Sequence, residues 1–280
     1  MTPGSATYRE EPAPPALAPW VACAWQLGAG PDGHVHRVLP DGCMDLLWDD
    51  RRGLRAVGPN LTAFLSGMAP GETAVGIRMR PGGAPPVFGV GAEALREADV
   101  PAADLWGDAA RRLAAGMEGD RSAAERAQRM LGWLSARARR APRPDPLVAE
   151  VARRMGDDPR TPVARVADDA GIGARHLRRR VVAQVGYGPR RLARVLRLQR
   201  AVALAGADPA ADLAELAFRA GFADQSHLSH ECRDLARRAV APPVPGAVAV
   251  SYTTAAPRRA RLSPSTWRRR RWWSAHGWVG

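Results

Sequence analysis

Two short runs of side chains have the types and spacing to read an anionic, hydrogen-bonding surface. In ARHLRRRVVAQV (174–185), Leu177, Val181 and Val185 recur at four-residue steps, which places them on one face of a helix. Ala174, Arg175, His176, Arg178, Arg179 and Arg180 are left to face outward or to flank. A guanidinium forks bidentately onto phosphate or onto guanine O6 and N7. Arg175, Arg178 and Arg179, about one turn apart, therefore form a face suited to a major groove, with His176 beside them. In DQSHLSHECRDL (224–235), Leu228 and Cys232 take the inward phase, and Gln225, Ser226, Ser229 and His230 take the exposed one. Gln225 suits adenine, and His230 is a weaker phosphate or base contact than an arginine would be. These eight residues are the candidate DNA-binding set. For any single arginine, an ion pair or a solvated face is the competing role.

The elements that must position them can be phased from the sequence. LVAEVARRM (147–155) predicts a first helix. VARVADDA (163–170) predicts a second, starting after Pro162 with Thr161 as its cap. Gly171-Ile172-Gly173 breaks it, and 174–185 resumes; a short helix, a glycine turn holding an apolar residue and a second helix are the ingredients of a helix-turn-helix. PRRLARVLRLQRAVALA (189–205) predicts a long helix with Leu192, Val195, Leu196, Gln199, Val202 and Ala203 in register. The arrangement then recurs in DLAELAFRA (212–220), the Gly221-Phe222 turn and 224–235, capped by Asp224 or the residue before it. Ala167 is echoed by Ala217, Gly171 by Gly221, Ile172 by Phe222, Leu177 by Leu228 and Val181 by Cys232, at an offset of 50 or 51 residues. This is an internal duplication. A 17-residue connecting helix spans about 25 Å, which with its two bundles suits successive major grooves on one face of DNA. Arg190, Arg191 and Arg194 on that helix are expected to meet phosphate or water.

Charge supports this placement. The chain of 280 residues has 41 basic and 28 acidic side chains and a formal net charge of +13, and every basic residue is arginine. Residues 1–140 carry 16 arginines and 16 acids, residues 141–240 carry 18 and 12, and residues 241–280 carry 7 and none. All of the excess lies in the second half, which points to an anionic partner for that half, double-stranded DNA before a membrane surface. The lysine-free usage reads as a genomic habit. No apolar stretch reaches membrane-spanning length, the N-terminus has no signal-peptide pattern, and three scattered cysteines fit neither a disulfide framework nor a CxxC metal site. A cytoplasmic, nucleoid-associated chain is expected, with no membrane partner.

The first half reads differently. WVACAWQL (20–27), HVHRVLP (34–40), CMDLLW (43–48), LRAVG (54–58), TAVGIRM (73–79) and PVFGV (86–90) are short strand candidates separated by Gly/Pro/Asp turns, as in a small barrel or sandwich. AEALREADV (92–100), 103–117 and 121–140 have helical spacing, and APRPDP (141–146) reads as a linker. His34, His36, Asp41, Cys43 and Asp45 could contribute to a metal site or a thiol sensor, but no second ligand cluster follows. A turn role for Asp41-Gly42 and a small buried Cys43 explain them better. Neutral charge and aromatic strands fit a small-ligand pocket. No nucleophile–base pair stands out, so no catalytic, metal or cofactor residue is expected and the chain is read as a non-enzyme.

Residues 145–235 resemble the tandem helix-turn-helix DNA-binding domain of AraC-type transcriptional regulators. The matching pieces are LxRxV (177–181), GYGPRRLARVLRLQRA (186–201) and LAxxAGFADQSHLSHECR (216–233). Residues 37–107 resemble an N-terminal domain that accompanies such regulators in high-GC bacteria, through RVLPDGCMDLLW (37–48), VGPN (57–60), GIRMRPGGAPPVFGV (76–90) and ADLWG (103–107). The resemblance implies that Arg179 serves fold and phosphate contact as well as base reading. Gly188 replaces a usual serine, Cys232 a buried phenylalanine and His230 a common arginine. The family's Gly-x-(Ser/Thr)-Pro turn after Leu235 is replaced by a Pro/Arg/Trp-rich tail.

The expectation is thus an α+β chain: a β-rich sensor domain (1–110), a helical linker (111–144), a tandem helix-turn-helix domain (145–240) and a basic tail without regular structure (241–280). Its function would be sequence-specific regulation of transcription, with an unknown small-molecule effector and RNA polymerase as further partners, as a monomer or homodimer. The alternatives are a ligand- or metal-binding β-domain enzyme fused to a DNA-binding module, and a regulator impaired by its altered C-terminus.

Overall fold

The computed structural model describes residues 6–119, 121–208 and 210–236, so the basic tail lies outside the described residues. Strands β1 (Thr7–Pro12), β2 (Val21–Gly28), β4 (Met44–Asp49), β5 (Gly53–Val57), β7 (Thr73–Met79) and β8 (Asp99–Pro101) form an antiparallel sheet in the order β1-β2-β7-β4-β5-β8. Strands β3 (His34–Val38) and β6 (Phe64–Met68) pair separately. The alternation that the sequence shows in β4 sends Met44, Leu46 and Trp48 inward. Central β7 is buried on both faces. Val75, Ile77 and Met79 meet the main core, whereas Gly76 and Arg78 face the other way. Gly76 lies flat beneath Trp25, since a Cβ there would fall 2.2 Å from the indole.

The main core is closed by α2 (Ala102–Ala115) and α3 (Ala123–Ala138), which contribute Ala110, Met130 and Leu134. Ser122 and Glu125 form a capping box at the start of α3. Gly107 breaks the helical path of α2.

Two expectations for this half are corrected. PVFGV (86–90) is not a strand; α1 (Ala84–Phe88) occupies it. Pro85 and Pro86 fall in the first turn, where no N–H is required, Val87 and Phe88 are buried, and Gly89 at φ 74° ends the helix. Residues 92–100 are a series of turns leading into β8 rather than a helix. The backbone there is committed elsewhere: Glu97 N donates to Pro59 O at 3.1 Å, and Gly58 N donates to Ala98 O at 2.8 Å. Strands β1, β6 and β8 lie where no strand is expected; β1 and β8 are sheet edges, where a proline is tolerated.

The C-terminal half is helical: α4 (Pro146–Asp157), α5 (Val163–Asp169), α6 (Ala174–Val185), α7 (Pro189–Ala207), α8 (Leu213–Arg219) and α9 (Gln225–Ala236). Helices α4 to α6 and the first half of α7 enclose Val148, Val151, Met155, Leu177, Val181 and Leu196. The end of α7 with α8 and α9 encloses a smaller core of Ala201, Leu216, Ala217, Ala220, Phe222 and Leu228, with Cys232 only partly buried against it. Thus α7, 19 residues and about 28 Å long, belongs to both. Thr161 does not cap α5: the N-cap is Pro162, with no side-chain bond. Asp212 caps α8, and Asp224 receives His227 N at the start of α9.

Candidate nucleic-acid interface

The duplication is reproduced bond for bond at the two turns. Ile172 N donates to Ala167 O at 3.0 Å, and Phe222 N donates to Ala217 O at 2.9 Å. Gly171 N donates to Asp168 O and Gly221 N to Phe218 O, at 2.9 and 3.1 Å. Both glycines are left-handed, at φ 64° and 90°. Each turn is a Schellman ending that satisfies the last carbonyls of a short helix and redirects the chain into the next. Ala167 and Ala217 are buried in the two cores, so a larger side chain at either would have to displace packed neighbours.

Leu177, Val181 and Val185 pack inward from α6, which leaves Arg175, His176, Arg178 and Arg179 exposed. Arg178 leans across the start of α7; a Cβ on Gly188 would lie 3.6 Å from its Nε. Arg180 is not part of this face. Its guanidinium grips both oxygens of Asp145, the N-cap of α4, and this pair raises its pKa. On α9, Gln225, Ser226 and His230 are exposed and Ser229 is half-buried, its carbonyl accepting from Arg233 Nε at 3.2 Å. His230 Nδ1 lies 3.7 Å from a carboxylate oxygen of Asp234. The two faces differ in chemistry: α6 presents guanidinium groups, and α9 presents amide, hydroxyl and imidazole groups.

Two of the connecting-helix arginines are committed within the protein rather than to phosphate or water. Arg191 donates to Leu61 O. Arg194 Nε donates to both oxygens of buried Glu231, at 2.9 and 2.8 Å, and Arg194 Nη2 to Asp234 at 3.1 Å. Burial opposes the charge on Arg194, and the hydrogen bonds to Glu231 outweigh it, so the pKa is raised. Arg190 stays exposed. Gln199, expected on the inward register, is half-buried and donates to Pro40 O at 2.7 Å. These partners lie between 37 and 159 residues away along the chain, so helical periodicity holds no sign of them.

In the first half, Asp41 accepts from Cys43 N at 2.9 Å and Gly42 sits at φ 82°, the turn role expected of Asp41-Gly42. Cys43 is buried, and burial pushes its thiol pKa well up, which disfavours a reactive thiolate. His34 and His36 stack with ring centroids 5.3 Å apart. Among the described residues no group of three or more His, Cys, Asp or Glu side chains is arranged to hold a metal ion, and no helix is long and apolar enough to cross a membrane.

The geometry defines a β-domain joined to a duplicated helix-turn-helix. Comparison with known proteins agrees: residues 166–240 match a family of helix-turn-helix domains, and residues 9–101 match a family described as a domain of unknown function (DUF6597). The second half thus carries a helix-turn-helix domain of the AraC type. No curated protein matches the sequence. Among solved structures, ToxT from Vibrio cholerae O395 is 12% identical, covering 75% of this chain and 95% of that one with a TM-score of 0.39. Unsaturated fatty acid-bound wild-type ToxT from Vibrio cholerae strain SCE256 is 11% identical, covering 74% and 92% with a TM-score of 0.40.

Proposed function

We propose that α6 and α9 enter two successive major grooves of one DNA duplex and that the β-domain tunes this reading in response to a signal. The observation that carries the proposal is the paired turn, with the same hydrogen bond at Ile172 and Phe222, placing an exposed helix face after each. Arg175, Arg178 and Arg179 supply guanine or phosphate contacts from α6, with His176 alongside. Gln225 pairs with adenine from α9, while Ser226, Ser229 and His230 make weaker polar contacts. The chain divides into a sensor domain (1–110) whose core is completed by the helical segment 111–144, a DNA-binding domain (145–240) and a basic tail (241–280). A monomer already presents two reading helices, so two-groove binding needs no second copy. RNA polymerase is the further partner such a regulator would address.

Selection of bound duplexes from a random pool by the full chain, followed by gel-shift, tests this. Arg178→Ala is expected to cost about 1–3 kcal/mol on the selected site and to relax preference at one base pair. Arg190→Ala is expected to weaken all sequences alike and to lower the salt slope by about one. No binding at low salt, by protein shown to be folded, would sink the proposal.

A further inference from the structure

We infer that Arg191 and Gln199 are positioning residues through which the β-domain splints α7 and so fixes the spacing between the two reading helices. This rests on the two-groove reading above. Two loops of the β-domain lie along α7 and its ends. From the first, Pro40 O accepts from Gln199 Nε2 at 2.7 Å, and Gly42 comes so close that a Cβ there would lie 3.2 Å from Leu192 Cδ1. From the second, Leu61 O accepts from Arg191, and Ala63 N donates to Leu235 O, at the end of α9, at 2.7 Å. Positions 191 and 199 are about 12 Å apart on the helix, so the grips fall in its first turn and beyond its middle.

The loops are themselves held rigidly. The carboxylate of Asp41 lies 3.5 Å from the buried guanidinium of Arg78, and Pro59 O is tied by Glu97 N. Just before α7, Gly186 O accepts from Arg96 at 3.3 Å, and Ala183 O accepts from Ala92 N at 3.0 Å. None of these contacts touches Arg175, His176, Arg178, Arg179, Gln225, Ser226 or His230, all exposed with the β-domain in place. The β-domain therefore does not mask the reading faces. It acts on what lies between them: α7 is shared by the two cores, and any bend or roll of α7 moves α9 relative to α6.

The test uses the full chain, the duplex it selects, and two derivatives with one base pair added or removed between the half-sites. One base pair changes the separation by about 3.4 Å and rotates one half-site about a tenth of a turn. Wild-type protein is expected to bind the selected spacing about tenfold or more tightly than either derivative, a coupling typical of well-placed double contacts. In Arg191→Ala/Gln199→Leu that ratio is expected to fall to about two- to threefold, whereas Arg191→Lys, which keeps a donor, retains it. Should the double variant fail to fold, Gln199→Leu alone, which preserves volume, serves for the same ratio. Equal loss of affinity on all three duplexes, with the ratio unchanged, overturns the positioning role while leaving the two-groove reading intact. A selected site spanning a single groove overturns both.

Discussion

The second helix-turn-helix unit has a small core, and its attachment should depend heavily on one ion pair. Glu231 is 8% exposed, and both its oxygens accept from Arg194 Nε; the Arg194 side chain is 28% exposed and also reaches Asp234. Removing the cation from a fully buried pair costs about 3–5 kcal/mol, because a carboxylate is left without a partner in low dielectric. Arg194 is partly hydrated and His227 Nε2 lies 3.8 Å from Glu231, so water and a nearby imidazole soften the loss. Arg194→Ala is therefore expected to destabilise the protein by about 2–3 kcal/mol. Glu231→Ala should cost less, about 1 kcal/mol, since the arginine keeps Asp234 and solvent. The double variant should be clearly less destabilised than the sum of the singles. Urea denaturation of the four proteins, followed by far-ultraviolet circular dichroism, gives the cycle. Equal and additive losses from the two single changes would refute the reasoning, because they would mean that Glu231 is not stranded when Arg194 is removed.

Other expectations follow from the two turns and from one surface carboxylate. Gly171 and Gly221 are both left-handed, but a Cβ at 171 meets nothing within 4 Å, whereas one at 221 would lie 3.1 Å from Pro159. Gly171→Ala should cost about 1–2 kcal/mol from backbone strain alone and Gly171→Asn less, while Gly221→Ala should cost more than Gly171→Ala; thermal melts compare them. Hydrogen bonds from Arg153 and Arg154 hold the Glu150 carboxyl down at about 2, below its ordinary 4.5. A depressed folded-state pKa gives stability that is full above 4.5 and is lost as pH falls towards 2. The Glu150 side chain is 37% exposed, so the effect stays below about 1 kcal/mol. Glu150→Gln should flatten that part of the acid limb in urea midpoints measured between pH 5 and pH 2.

Local pattern carried the helical half. The bounds of α6 follow from Leu177, Val181 and Val185 between Gly173 and Gly186, and the duplicated turns follow from two glycines at matching places. These features depend on neighbours a few residues away, which is the range over which sequence spacing has meaning. The exposed faces of α6 and α9 are legible for the same reason, since fixing the buried side of a helix fixes the other side.

Tertiary structure decided what was non-local. Residues 86–90 are apolar enough for a strand, yet two prolines in a first turn and a left-handed Gly89 make them a helix beneath α3. Residues 92–100 have helical spacing, yet they close as successive i→i−3 turns, with Glu97 N and Ala98 O bonded to Pro59 and Gly58. Arginines of one type and one helix also part company: Arg190 meets solvent, Arg191 a carbonyl of the β-domain, and Arg194 two carboxylates of α9. Sequence alone determined that a basic, duplicated helix-turn-helix follows a β-rich domain. Only the fold determined which cations remain available to an anionic partner, because pairing is set by distance in space, and the partners of Arg191 and Arg194 stand 130 and 37 or more residues away in the chain.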